Sequence, residues 1–131
     1  MRGAEFWRDV GLLGLRVFPG FLLASSHGWG KLIGFSEYLL KFPDPIGVGV
    51  TASLVLAIFA EFFCSIGVMV GLLTRFAAIP VVITLLVAAL VVHADDPFQK
   101  KEFALVYAIP FLVLIFTGPG RFSIDRLMGR N

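Results

Sequence analysis

Four apolar runs, each closed by charged, glycine or proline residues, leave this chain few ways to fold. They occupy about residues 10–29, 48–73, 76–92 and 103–117 of 131. A run of roughly 20 apolar residues crosses the hydrocarbon core as a helix, because a helix satisfies its own backbone hydrogen bonds without water. Composition agrees: 58% of residues are hydrophobic and 15% charged, against roughly 45–50% and 25% in soluble domains. Connectors of a few residues make neighbouring helices antiparallel. The expectation is an all-α, transmembrane four-helix up-down-up-down bundle forming a single membrane domain over 1–131. Lipid surrounds it, and little chain is left for a soluble catalytic domain.

The charges then orient it. Arg2, Arg8, Arg75, Arg121, Arg126 and Arg130 fall on one side. Lys31, Lys41, Lys100 and Lys101 fall on the other, offset by Glu37, Asp44, Asp95, Asp96 and Glu102. The positive-inside rule places both termini in the cytoplasm, for a multi-pass protein of the inner (plasma) membrane. Basic residues this dispersed make no nucleic-acid patch. The single cysteine, Cys64, excludes an internal dithiol cycle and a four-thiolate cluster. The first run reads as a retained helix, since Glu5 and Asp9 dilute a signal-peptide n-region and Arg16 interrupts its apolar core. Ser36 is expected to cap a short interfacial helix that Pro43 and Pro45 stop, and Ser123 a short C-terminal one.

Two charges lie where lipid tolerates them poorly, Arg16 and Glu61. Each costs at least about 2.5–3.5 kcal/mol at the bilayer centre. Counted from the outer ends of their helices, both sit roughly 18–21 Å deep. An intramembrane ion pair between them is the expected solution, either as a packing device or as part of a polar interior. Arg16, Gly20, Ala24, His27 and Lys31 share one helical face. Small residues at this spacing let helices approach closely.

A second polar set gathers at the outer ends: His27, Lys31, His93 and Glu102. These residue types admit a plain interfacial network. They also suit a quinone site, where imidazole donates to a carbonyl and a carboxylate relays the proton. Two histidines at equal depth could ligate haem iron, a reading weighed below the quinone one. An interfacial metal site is the remaining option, and no metal ligand set is assigned.

The motifs, taken in order, resemble a known family. The chain reads Leu15-Arg16, His27-Gly28-Trp29-Gly30-Lys31, Ala60-Glu61, Gly71-Leu72-Leu73-Thr74-Arg75-Phe76-Ala77-Ala78, His93, Glu102 and Thr117-Gly118-Pro119-Gly120-Arg121-Phe122-Ser123-Ile124-Asp125. This ordered set is similar to the DoxX family of small four-helix membrane proteins, over nearly the whole chain. The resemblance implies a membrane subunit of a quinone-linked oxidoreductase, acting with partner subunits or as a homo-oligomer. It carries over Arg16, His27, Lys31, Glu61, His93 and Glu102, with Arg75 in the loop motif. Any enzyme role is that of a subunit, because the chain has no flavin, iron–sulfur or nucleotide motif. The wider group implies an alternative: a non-enzymatic protein that assembles, stabilises or sorts a membrane partner.

Overall fold

The computed structural model describes residues 2–130, Arg2 by its backbone alone, and every regular element among them is helical. The first long helix starts at Arg2, ahead of the expected apolar run, and continues through α1 (Arg2–Leu23), a π-helical turn (Ala24–Gly28) and α2 (Trp29–Ile33). Gly34 ends it, and α3 (Phe35–Leu39) comes next without a side-chain cap, so Ser36 does not play the role expected of it. Asp44 then rebuilds order. Its carboxylate accepts from the N–H groups of Val48 and Gly49 at 3.0 and 2.9 Å and from the Ser53 hydroxyl at 2.8 Å. These contacts occupy donors at the start of the next helix.

The second long helix comprises α4 (Val50–Ile58), a π-helical stretch (Phe59–Cys64) and α5 (Ser65–Val70). Gly71 and Leu73 take left-handed conformations and reverse the chain. The third comprises α6 (Thr74–Val87) and a π turn (Ala88–Val92), and α7 (Phe98–Thr117) is the fourth. Three helices are long and apolar enough to cross a membrane: Gly3–Ile33, Val50–Val70 and Thr74–Val92. α7 carries Lys100, Lys101 and Glu102 near its start and is less uniformly apolar. It packs along α6, and Leu23, Val68, Val81, Phe111 and Leu114 form the core among the long helices.

Glycine sets the register of the first two helices. A Cβ on Gly28 would lie 2.8 Å from the Glu61 carbonyl, and one on Gly20 would lie 3.0 Å from the Ser65 carbonyl oxygen. Gly71 borders the Arg16 guanidinium in the same way. Arg16 therefore sits level with Gly71, and Glu61 with Gly28. This overturns the expected Arg16–Glu61 pair: Ile33 lies five residues past Gly28 while Val50 lies eleven before Glu61, so the second helix starts beyond the end of the first and equal distances from their ends are not equal depths.

Candidate functional site: a polar chamber between the long helices

Arg16 finds its surroundings at the tail end of the molecule. It is 1% exposed and donates from Nη2 to the Phe122 carbonyl, while Nε and Nη1 have no partner among the described residues. Beside it, Asp125 accepts from the N–H groups of Leu73 and Thr74 at 2.8 and 2.9 Å and from the Thr74 hydroxyl at 3.0 Å. Arg130 Nε donates to the same carboxylate at 3.2 Å. Burial pushes the Asp125 carboxyl up, but the bonds from Thr74, Leu73 and Arg130 outweigh it and hold the group below the usual carboxylate range. Asp125 thus caps the third long helix from the far end of the chain. Ser123 caps α8 (Ile124–Leu127), accepting from the Arg126 N–H at 3.2 Å. Arg75 lies over the backbone of Gly118, where a Cβ would come within 3.0 Å of its guanidinium. Apart from Arg16 Nε and Nη1, these groups bind backbone or one another, and beside them Arg8, Asp9, Arg121 and Arg126 border an open groove of about 530 Å³ at the surface.

At the other end, beneath the connectors at 34–49 and 93–97, the polar groups face space. A cavity of about 320 Å³ is lined by His27 and Lys31 of the first helix, Glu61 of the second, His93 after the third and Lys100 and Tyr107 of α7. Its volume lies at the small end of ligand pockets, which combine mostly apolar walls with a few polar groups. Leu23, Leu85, Ala88, Phe103 and Ala104 supply apolar wall here.

Lys31 Nζ donates to Glu61 Oε1 at 2.7 Å, with the two side chains 14% and 12% exposed. This is the partner that sequence reasoning assigned to Arg16. The His27 ring meets Tyr107 edge-on, centroids 5.9 Å apart. His93 Nδ1 lies 2.7 Å from Asp96 Oδ2 at the rim. That hydrogen bond, first among the causes, holds the Asp96 carboxyl below its usual range. Ionised, Asp96 can only accept, so Nδ1 of His93 carries the proton of this bond.

All three π-helical turns border the chamber. Ala24–Gly28 contains His27, Phe59–Cys64 contains Glu61, and Ala88–Val92 ends at His93, whose N–H donates to the Ala88 carbonyl at 3.0 Å. Each turn inserts a residue and swings the helix beyond it by roughly 100° relative to a regular helix. Glu61 lies within the second of these turns and lines the chamber.

Of the four residues expected at the outer cluster, His27, Lys31 and His93 line the chamber and Glu102 does not. Glu102 is exposed and lines a separate groove with Phe18, Pro19, Leu22 and Val106. Glu102 and Phe103 are adjacent and leave α7 about 100° apart; Phe103, 64% exposed, borders both the groove and the chamber, and Glu102 borders the groove alone. Tyr107 escaped sequence reasoning, although it is the one polar side chain between Phe103 and Phe116. Its spacing of four from Phe103 was the available signal.

Known proteins match across this framework. A family model, DoxX, covers residues 11–94. "Inner membrane protein YqjF" of Escherichia coli (strain K12) is 32% identical over 130 residues, 94% of this chain and 95% of its own length. An uncharacterized protein of Haemophilus influenzae is 29% identical over 126 residues, 91% of this chain and 83% of its own. No solved structure matches.

Proposed function

This chain belongs to the DoxX family, and on that premise we propose that it is a membrane subunit of a quinone-linked oxidoreductase whose chamber binds the quinone headgroup and moves its protons. It is a multi-pass protein of the inner membrane. In this reading α7 is the fourth span, about 30 Å long at 1.5 Å per residue, and completes an up-down-up-down bundle. Both termini lie in the cytoplasm beside Arg8, Arg75, Arg121 and Arg126, and the chamber opens toward the outer surface. Reporter fusions after Gly120 and within 95–100 should accordingly report opposite sides.

One observation carries the functional reading: His27, Lys31, Glu61, His93 and Tyr107 come from four long helices to one cavity. Ionisable groups at membrane depth are expensive, and facing a cavity is the arrangement expected of a ligand or proton path. The chamber fits a quinone head, because His27, Lys31 and Tyr107 offer donors to carbonyl oxygens between apolar walls. Quinone reduction consumes two electrons and two protons. The electrons come from a partner subunit. Within this chain, Lys31 and Glu61 hold a neutralised pair at the inner wall. Asp96 fixes the His93 tautomer, leaving Nε2 as the nitrogen that exchanges protons with the surface.

The test is quinone binding by purified protein in nanodiscs. His27→Ala and Tyr107→Phe should each weaken binding by about tenfold, the worth of roughly one hydrogen bond in an apolar site, with melting unchanged. A wild-type protein that binds no quinone would overturn the reading and leave the assembly, stabilising or sorting role in front.

A further inference from the structure

A second cavity adjoins the chamber and has a different character. It is a groove of about 360 Å³ between α4 and α6, lined by Leu56, Phe59, Pro80, Ile83 and Thr84 among others. Pro80 has no N–H to offer the Phe76 carbonyl, which loosens the helix wall at this point. Leu56, Phe59 and Ile83 are about half exposed, so the groove opens sideways, where the acyl chains of a bilayer would lie. Phe42 and Pro43 of the connector roof it. These two residues, with Glu61, Ala88 and Val92, also wall the polar chamber. The two spaces are therefore neighbours across a shared partition, with Glu61 standing between them.

We propose that the groove holds the hydrocarbon tail of the ligand whose head occupies the chamber, so that the ligand is a long-chain amphiphile entering from the bilayer between the second and third long helices. This rests on the headgroup reading above and adds the tail and the route. Three features favour such an occupant over an ordinary bilayer lipid. The groove adjoins a built polar chamber, so one molecule can place its head and tail in environments of opposite character. Lys31 is neutralised by Glu61 at 2.7 Å, so the wall shared with the groove presents little net charge for a phosphate and suits an uncharged carbonyl head; the chamber's other ammonium, Lys100, comes from α7, which does not line the groove. The Ser53 hydroxyl on the groove wall is already bonded to Asp44, which leaves the groove apolar in effect.

The experiment compares ubiquinone-2 with its tail-less parent, 2,3-dimethoxy-5-methyl-1,4-benzoquinone, in equilibrium binding to protein in phosphatidylcholine nanodiscs. Thr84→Phe and Leu56→Phe fill the groove from opposite walls without touching the chamber. The expected result is tighter binding of ubiquinone-2 than of the parent, and a loss of about tenfold or more for ubiquinone-2 alone in each variant, as apolar burial scales with area. If one variant melts early, the other decides. Equal binding of both quinones, unaffected by either variant, would overturn the tail route while leaving the headgroup reading intact and the groove to bilayer lipid. Binding of neither quinone to the wild type would bring down both.

Discussion

The tail end and the connector end of this molecule both bring charge into an apolar bundle, and they use it in opposite ways. At the tail end Asp125 spends its oxygens on the backbone of Leu73 and Thr74, and Arg16 caps the Phe122 carbonyl. Gly71 brings the chain against the Arg16 guanidinium. At the connector end one oxygen of Glu61 meets Lys31, and around that pair the helices leave 320 Å³ open. Charge consumed by backbone specifies a turn and a register. Charge facing a cavity is open to something that arrives. The comparison separates a structural use of intramembrane polarity from a receptive one, though residue type alone makes Arg16 and Lys31 look alike.

The largest effect should come from the consumed charge. Asp125→Ala strips the N–H groups of Leu73 and Thr74 of their acceptor and leaves buried Arg16 without its neighbouring carboxylate. A loss of about 3–5 kcal/mol is expected, as when a buried charge partner is removed. Thermal unfolding in detergent reads it. The same residue sets an acid limit. Its folded carboxyl lies below the ordinary value, so the stability it contributes is in place above the unfolded pKa of about 3.9 and disappears as pH falls through the lower folded value. Asp125→Asn should flatten that acid arm. An unaltered arm would mean that Asp125 does not anchor the turn.

Glu61→Gln should come second. It leaves the Lys31 ammonium without its counter-ion, and because neither side chain is fully enclosed the cost should be about 2–3 kcal/mol, under that of a fully buried pair. Lys31→Met combined with Glu61→Leu should be less damaging than either single change. Arg16→Met and Glu61→Gln should add, since groups this far apart do not couple. Coupling between Arg16 and Glu61 instead would restore the pairing expected from depth counting and contradict the register set by Gly20 and Gly28.

The same two ends divide the legible from the illegible in the sequence. Helix existence was legible, because apolar runs near 20 residues long have one backbone solution in lipid. The common level of His27, Lys31 and His93 was legible from loop positions, and the shared face of His27 and Lys31 from helical spacing. Partnership was not. It depends on inter-helix register, which Gly20 and Gly28 fix through close contact, and on the three π turns, which no regular periodicity reveals. The capping role of Asp125 depends on a contact across 51 positions. Glu102 was placed by level alone, and level does not say which way a helix faces.

The smallest stability effect should come from Asp96, which lies at the rim with its side chain about a third exposed. Asp96→Asn keeps the shape of the residue and should leave thermal unfolding within measurement error, since surface pairs contribute little. Its consequence should show in the His93 ring. The ionised carboxylate accepts from Nδ1 at 2.7 Å and so holds a proton on that nitrogen. An asparagine can turn its amide to donate as readily as to accept, which removes that constraint. Nitrogen-15 spectra of labelled protein should show His93 protonated at Nδ1 in the wild type and shifting toward Nε2 in the variant. Proton-coupled quinone reduction with the partner subunit should slow several-fold in step, as for other misoriented general bases. If the tautomer shifts while reduction is unchanged, His93 has no part in the proposed proton transfer. If neither changes, the rim pair is a surface contact, and the receptive end of the molecule narrows to His27, Lys31, Glu61 and Tyr107.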